Sequence, residues 1–272
     1  MTGLQQPNRV LAALEAEAVA AAVLGTATRF GEMTCAGVEV VHAGTPLPVT
    51  VVRVAALAGL ELRRVAGAAG PALVAELERP DVNAIVMGAG IGHLGHHPVG
   101  STTRYVAERS TKPVVVVPAT GTGPGSPFRR LLVPLEGTES SSRPVLEALL
   151  PMLVAGVEVE VLHVFTEETL PRMLDHPVRD IELLGHEFLA RHFPPATRIV
   201  LRAGEVADRV SELCEEHGAD MVVLSWSQRS SHGHARVVRD VLRSSAVPVM
   251  LLPVAGDHGR TALPEGFEDW AS

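Results

Sequence analysis

The sequence predicts an α/β protein made of two tandem domains, each built on an open parallel sheet with helices on both faces. Short apolar runs recur along the chain with amphipathic stretches between them, and the whole order of runs occurs twice. Each run is nearly continuous in apolar residues, which is typical of strands buried on both faces of a parallel sheet. A chain of 272 residues is also long enough for two cores of ordinary size.

Ten apolar runs, five in each half, are predicted to be strands because they are rich in Val and Leu and too short for helices. In the first half they are Val10–Leu14, Val38–His42, Leu60–Arg64, Ala84–Met87 and Val114–Val117. In the second half they are Leu131–Leu135, Val157–Val164, Arg198–Leu201, Met221–Leu224 and Val249–Leu252. The stretches between them predict the helices of βα units.

Equivalent positions in the two halves keep the same spacing. The interval from Glu15 to His42 in the first half is identical to the interval from Glu136 to His163 in the second. The fourth predicted strands, with Ile85-Val86-Met87 in one half and Val222-Val223-Leu224 in the other, also keep a constant offset. Such a ladder of matched spacings indicates an internal duplication.

The duplication predicts one domain at residues 8–119 and a second at residues 128–254. The stretch between them, residues 120–127, is rich in Gly, Pro and Thr and is therefore expected to be a linker. Residues 255–272 are polar and acidic, so a flexible tail is expected there.

The two halves differ most between their second and third strands. Residues 42–60 form only a short connection in the first half. In the second half, about 167–192 is helix-forming, with apolar residues spaced for one face: Leu170, Met173, Leu174, Ile181, Leu184 and Phe188.

The bulk properties exclude several classes of protein. The net charge of -8 comes from residues 121–272, which carry 14 basic and 22 acidic residues, whereas residues 1–120 carry nine of each. An acidic surface argues against nucleic acid or an anionic membrane as a partner, since both need a basic footprint. Two distant cysteines make neither a disulfide framework nor a zinc site. With no signal-peptide pattern, a cytoplasmic protein is expected.

Three motifs resemble the universal stress protein family. They are Val-Pro-Leu-Glu-Gly-Thr at 133–138, His-Gly-Ala-Asp-Met-Val-Val-Leu at 217–224, and the glycine-rich stretch at 87–103. The resemblance covers nearly all of residues 8–254, once in each half. It implies a five-stranded sheet of strand order 3-2-1-4-5 in each domain, the adenine-nucleotide alpha-hydrolase-like fold.

The glycine-rich stretch is similar to the loop Gly-x2-Gly-x9-Gly-Ser/Thr of the family's nucleotide-binding members. Nine residues separate Gly90 from Gly100-Ser101, as in that pattern, whereas the leading Gly88 is one residue too close. Glycines without Cβ let a backbone turn sharply and approach a ligand. The stretch also opens a predicted helix at 102–108, and the N-terminus of a helix attracts anions.

The resemblance therefore implies a stress-response regulator, not an enzyme, that binds ATP or a related adenine nucleotide, with Mg²⁺, in the first domain. It implies that Glu15 contacts the adenosine part and that the phosphates lie on Gly88, Gly90, Gly100, Ser101 and Thr102. Any hydrolysis is expected to be slow and incidental, because the loop contains no general base or arginine finger.

Two departures from the family pattern favour an alternative, a nucleotide-free scaffold of the same fold that acts through protein contacts. Glu15 is followed by Ala16-Glu17, where the family usually has Asp-Gly-Ser. No Lys or Arg lies between Gly88 and Thr103, so the only cations there are His93, His96 and His97.

In the second half, Ser225 to Arg239 replaces the loop and keeps only one glycine, Gly233. Trp226 either crowds the space that phosphates need or stacks on something else. This loop is expected to cap the sheet, although the retained Glu136-Gly137-Thr138 leaves an altered second site open.

Other candidate sites have simpler structural explanations. A metal enzyme or small-molecule hydrolase would depend on the loop histidines, including His232 and His234, without a carboxylate or cysteine in the same loops. The remaining candidates are predicted to be structural: His42 and His163 as satisfied buried imidazoles, and Cys35 and Cys214 as core residues within helices.

Assembly is predicted from the strand order, in which the fifth strand is an edge. Apolar edges tend to pair, so Val114–Val117 and Val249–Leu252 are expected to join the two domains within one chain. A homodimer and an unidentified regulatory protein are further expected partners.

Overall fold

The computed structural model describes residues 8–15, 17–90, 99–119, 126–165, 177–193, 198–227 and 234–254. Ten strands and eight helices lie within these ranges. The strands are β1 Arg9–Ala13, β2 Gly37–Ala43, β3 Leu62–Val65, β4 Val82–Gly88, β5 Val114–Val117, β6 Arg130–Pro134, β7 Glu158–Phe165, β8 Arg198–Ala203, β9 Met221–Ser227 and β10 Val249–Val254. The helices are α1 Glu17–Thr34, α2 Val49–Leu57, α3 Ala69–Leu77, α4 Ser101–Arg109, α5 Glu139–Val154, α6 Pro177–His192, α7 Val206–His217 and α8 His234–Ser244.

All ten strands form one sheet in the order β3-β2-β1-β4-β5-β10-β9-β6-β7-β8. Each half has the predicted order 3-2-1-4-5, and the strand pairs inside each half are parallel. The halves join through an antiparallel pair, with Val249 opposite Val116 and Leu251 opposite Val114. The expected pairing of the fifth strands is thus confirmed, and it merges the two predicted sheets into one.

The apolar strands are buried from both sides. On β5, Val115 and Val117 pack into a core covered by α1, α2, α5 and α6, whereas Val114 and Val116 pack into a core covered by α3, α4, α7 and α8. Alternate side chains of a strand point to opposite faces, so a strand covered on both faces has to be apolar throughout. This is the physical reason that the runs could be recognised in the sequence.

The structure also differs from the expectations in two places. The connection at 42–60 contains a nine-residue helix, α2, in which Val51 and Ala55 are buried. The prediction for Cys35 is wrong, because this residue lies just beyond α1, is exposed, and has a left-handed backbone with a φ of 52°. Cys214 lies within α7 as expected and is half-buried.

Some expectations fall on residues outside the described ranges. These are the linker residues 120–125, the tail 255–272, and the apolar positions Leu170, Met173 and Leu174. Within the described ranges, no helix combines the length and the apolar character needed to cross a membrane.

The antiparallel pairing of β5 with β10 makes the strands of the two domains run in opposite directions. The carboxyl ends of the strands in the first domain (β1–β5) lie at one end of the sheet, and those of the second domain (β6–β10) lie at the other end. A crossover helix runs back against its parallel strands. The C-terminus of α4 therefore lies at the same end of the sheet as the carboxyl edge of the second domain.

Candidate functional site

The two ends of the glycine-rich stretch meet at the carboxyl edge of the first domain. The backbone N–H of Gly100 donates to the carbonyl of Ala89 at 2.6 Å. Gly90 has a φ of +77°, and a Cβ placed on it would lie 3.1 Å from the Cα and N of Gly100. The predicted neighbours Gly90 and Gly100 are thus in backbone contact. Residues 91–98, with Gly92, His93, His96 and His97, lie outside the described residues.

The first turn of α4 is anchored to the end of β4. The Thr103 hydroxyl, which is buried, donates to the carbonyl of Gly88 at 2.8 Å. Gly100 occupies the N-cap position of α4 and makes no side-chain capping bond. The first N–H groups of an α-helix have no intrahelical acceptor, and the helix dipole places partial positive charge there. This helix end can therefore receive an anion.

The three described glycines of the stretch are required by the fold to different degrees. A Cβ on Gly88 would lie 2.7 Å from Cγ2 of Val19, so this glycine lets α1 pack closely on β4. Gly90 is needed for its positive φ. Gly100 has an ordinary φ of −62°, and a Cβ there would meet its nearest atoms at 3.6 and 3.7 Å. The described residues therefore do not demand a glycine at 100.

Glu15 follows β1 and reaches the first turn of α4. Its carboxyl accepts a hydrogen bond from the side chain of Thr102. Its Oε1 is buried and has no hydrogen-bond partner among the described residues. Burial raises the pKa of Glu15, and the Thr102 hydrogen bond and the charge of His42 oppose that rise. A buried acceptor without a donor is costly in a folded protein, which makes Oε1 a candidate acceptor for a donor from a ligand.

His42, at the end of β2, lies beside this carboxyl and belongs to the same cluster. The Nδ1–H of its buried ring donates to the carbonyl of Leu14 at 2.7 Å, whereas Nε2 is buried without a partner among the described residues. The prediction of a satisfied buried imidazole holds for Nδ1 only. The repeated Glu-to-His interval in the two halves was the available signal that these two side chains are neighbours.

The structure thus brings four of the predicted residues, Glu15, Gly90, Gly100 and Thr102, to one edge of the sheet. Ser101 is the exposed first residue of α4, and Gly88 serves the packing of α1. The cluster lies where the connections from β1 and β4 leave toward opposite faces of the sheet. Open α/β sheets bind their ligands at such a point.

In the second domain, the corresponding edge is filled by an aromatic side chain. Gly137 has a φ of +85°, and a Cβ on it would lie 2.9 Å from Cε2 of Phe188. The Phe188 ring, from α6, lies 4.6 Å from the ring of His163 and 4.8 Å from that of His192. In the first domain α2 contains no aromatic residue. The Glu136-Gly137-Thr138 turn is therefore covered by the chain itself.

Both histidines of this aromatic cluster are disfavoured in their charged form. Burial lowers the pKa of His163, although its hydrogen bond to the carbonyl of Leu135 opposes that shift. Burial also lowers the pKa of His192, and the neighbouring Arg191 and His163 lower it further. Both rings are therefore mostly neutral at pH 7, since even an unperturbed histidine has a pKa of about 6.5.

Trp226 of the second domain contacts the first domain. Its indole N–H donates to the carbonyl of Ala107, near the end of α4, at 3.0 Å. This bond links Trp226 to another element, whereas the loop that follows, residues 228–233, lies outside the described residues. By the internal repeat, the position of Trp226 in β9 corresponds to that of Ala89, directly after β4.

The described residues contain no group of three or more His, Cys, Asp or Glu side chains that could hold a metal ion. His232 and the side chain of His234 lie outside the described set, like the histidines of the first loop. Burial raises the pKa of the Cys214 thiol to about 12, so the reactive thiolate is disfavoured there.

Comparison with known proteins agrees with the architecture. A sequence model described as the universal stress protein family matches residues 9–118 and again residues 127–253. None of the curated proteins compared with this chain matches it.

Three solved structures are similar over almost the whole chain. A putative universal stress protein from Pseudomonas aeruginosa UCBPP-PA14 has a TM-score of 0.63 at 12% identity and covers 91% of this chain and 94% of its own. A functionally unknown protein from Pseudomonas aeruginosa PAO1 has a TM-score of 0.62 at 11% identity and covers 91% of this chain and 93% of its own. A universal stress protein from Archaeoglobus fulgidus DSM 4304 has a TM-score of 0.58 at 17% identity, covering 93% and 98%. At these identities the likeness concerns the fold.

Proposed function

Because this chain belongs to the universal stress protein family, we propose that it is a cytoplasmic stress-response protein whose first domain binds ATP or a related adenine nucleotide. The observation that carries the proposal is the glycine at 100. The described residues leave room for a Cβ at this N-cap position, yet the sequence has none there, and the position supplies no side-chain cap to the helix. A ligand that must approach the backbone closely explains both facts.

In this proposal the phosphates lie on the N–H groups of the first turn of α4, next to the exposed Ser101. Glu15 Oε1, which has no partner among the described residues, accepts a hydrogen bond from a ribose hydroxyl. Mg²⁺ enters with the nucleotide, since this ion is held largely by phosphate oxygens and water.

We expect binding without efficient turnover. Between Gly88 and Thr103 the sequence contains no Lys or Arg that would stabilise the charge of a phosphoryl-transfer transition state. The Glu15 carboxyl is already engaged by Thr102, which supports a role in holding the ligand. Phosphate release from ATP by the purified protein, measured over hours, is therefore expected to stay close to the uncatalysed background.

Nucleotide binding can be tested by titrating Mg-ATP into the purified chain by calorimetry, with Gly100→Asp as the informative variant. Aspartate is a good N-cap and complements the helix dipole, so the variant should be at least as stable as wild type. The same negative charge opposes phosphate at the helix end, and we expect the affinity to fall about tenfold or more. Gly100→Ser is the matched control, because it also caps the helix but carries no charge.

Two results would contradict this proposal. The first is that wild-type protein shows no heat with millimolar ATP and no nucleotide after purification. The second is that Gly100→Asp binds ATP as tightly as Gly100→Ser, since phosphate would then lie elsewhere.

A nucleotide-free scaffold is the second candidate, and the packing of two glycines favours it. Gly88 is explained by contact with Val19 and Gly90 by its positive φ, without any ligand. If the protein is a scaffold, neither wild type nor any variant binds nucleotide. Gly100→Asp should then also leave the capture of a protein partner by the full chain unchanged.

A further inference from the structure

The helix that carries the proposed phosphate site is held by different domains at its two ends. At its N-terminus, α4 is attached to its own domain by two hydrogen bonds. The Gly100 N–H donates to the carbonyl of Ala89, and the Thr103 hydroxyl donates to the carbonyl of Gly88. Near its C-terminus, the carbonyl of Ala107 accepts a hydrogen bond from the indole of Trp226. The two residues of this second bond are 119 positions apart in sequence.

The Trp226 bond satisfies an acceptor that the helix cannot satisfy by itself. The last four carbonyls of an α-helix lack an intrahelical donor, and Ala107 lies within the last four residues of α4. Ala107 is buried and packs in the same core as the partly buried Trp226. Loss of the donor would therefore leave a buried acceptor without its partner, which costs more than the loss of a solvated bond.

The contact is close to the proposed site along a rigid element. At 1.5 Å per residue, Ala107 lies only about 7.5 Å along the helix axis from Thr102. Tyr105, between them, packs on Gly70 of α3, where a Cβ would lie 2.7 Å from its ring. A tilt at the C-terminus of so short a helix must therefore move its first turn, where Thr102 meets Glu15.

The arrangement is one-sided. The internal repeat places Ala89 at the position in the first domain that Trp226 occupies in the second. An alanine side chain has no donor, so it cannot hold α8 in the way that Trp226 holds α4. Within the part of the chain that the structure describes, support of this kind is seen from the second domain to the first.

We propose that Trp226 is a positioning residue for the site of the first domain: by fixing the C-terminal end of α4, it sets the place of the helix N-terminus that receives phosphate. This inference rests on the proposed nucleotide function. It gives the second domain, whose own edge is filled by Phe188, a defined role in the activity of the first.

Trp226→Phe tests the proposal, because phenylalanine keeps most of the apolar contact but lacks the N–H. Loss of one hydrogen bond limits the effect, and we expect Mg-ATP affinity to fall about two- to fivefold in calorimetry. Amide hydrogen exchange across residues 101–109 should also become faster in the nucleotide-free protein. Val200→Ala is the matched control, since Val200 is buried in β8 at the far edge of the sheet.

The outcomes separate the two claims. If wild type binds ATP and Trp226→Phe binds equally well with unchanged exchange at 101–109, the positioning role is wrong and the nucleotide function stands. If Val200→Ala weakens binding as much as Trp226→Phe, the effect is general destabilisation and the positioning role is again wrong. If wild type does not bind ATP, the nucleotide function fails, and unchanged exchange in Trp226→Phe would then also show that Trp226 does not hold α4.

Discussion

At the scale of single residues, the buried carboxyl of Glu15 destabilises the free protein and offers an acceptor to a ligand. Its carboxyl is largely desolvated, and burial is the largest influence on its raised pKa. Only one of its oxygens can be assigned to the Thr102 hydrogen bond, since Oε1 has no partner among the described residues. Proteins tolerate such costs mainly where a ligand compensates for them.

Glu15→Gln should stabilise the free protein at neutral pH. A raised pKa in the folded state means that ionisation opposes folding above the ordinary pKa of glutamate, about 4.3. Glutamine keeps an acceptor for Thr102 without the charge, and we expect the free energy of unfolding to rise at pH 7. In urea unfolding, the difference from wild type should shrink as the pH is lowered toward 4. A loss of stability at pH 7 would show that the carboxylate is favourably paired.

Gly88→Ala should destabilise the protein more than Gly100→Ala, which loses only the preference of an N-cap position for glycine over alanine. The added methyl group at 88 would lie 2.7 Å from Val19, and overpacking of this kind typically costs about 1–3 kcal/mol. At 100 the same group makes ordinary contacts of 3.6 and 3.7 Å. Thermal unfolding of both variants measures the contrast. Equal melting temperatures of the two variants would mean that α1 moves away from the added methyl group without loss of stability.

At the scale of elements, the helix between the second and third strands distinguishes the two domains. In the first domain it is α2, nine residues long and without aromatic side chains. In the second domain it is α6, whose Phe188 packs on Gly137 and between the rings of His163 and His192. One element therefore decides whether the Glu-containing turn after the first strand is covered.

Acidification should weaken the attachment of α6. His163 and His192 have lowered pKa values in the folded protein, so the unfolded state binds more protons as the pH falls through about 6.5. Their contribution to stability is complete above that pH and is lost progressively below it. The titratable and charged groups that act on His192 are Arg191 and His163, which lower its pKa, and Glu139, which raises it.

The expected result is a fall in the free energy of unfolding between pH 7.5 and 5. His192→Gln should reduce the pH dependence, because glutamine does not titrate and can still bond the Ser142 hydroxyl, which lies 3.4 Å from Nδ1 of His192. The measurement is urea unfolding at several pH values, with hydrogen exchange of residues 177–192 to locate the effect. Equal pH dependence in wild type and His192→Gln would contradict the assignment.

At the scale of the whole molecule, the antiparallel pair of β5 and β10 removes two apolar strand edges at once. All four residues of β5 are buried. The outer edges that remain are β3 and β8, which carry arginines such as Arg63 and Arg198 in ion pairs with Glu39 and Glu160. Charged edges resist further pairing. The homodimer expected from the sequence stays a prediction, and its interface should lie away from the sheet edges.

A chain truncated after residue 119 should dimerise. Without β10, the apolar edge of β5 would be exposed and could pair with a second copy in the same antiparallel manner. Sedimentation at micromolar concentration should show a dimer of the truncated chain. A monomer would show that β5 alone does not drive association.

The sequence predicted the repeated βα order, the approximate strand positions and the residues at the edge of the first sheet. These features depend on local pattern: both faces of each strand are covered, so the runs are apolar, and a duplication repeats them. The prediction failed at Cys35, because a helix end is determined by backbone geometry just beyond α1. Such an end has no apolar period to mark it.

The sequence by itself determined the fold, the duplication and the candidate residues from Glu15 to Thr102, because burial and chain turns leave a periodic trace. Only the tertiary structure showed which of the three glycines packs without a steric demand. It also showed that Phe188 covers the edge of the second domain and that Trp226 is hydrogen-bonded to α4. Each of these is a contact between residues far apart in the chain, up to 119 positions for Trp226 and Ala107. Such contacts depend on how elements pack, and no local pattern encodes them.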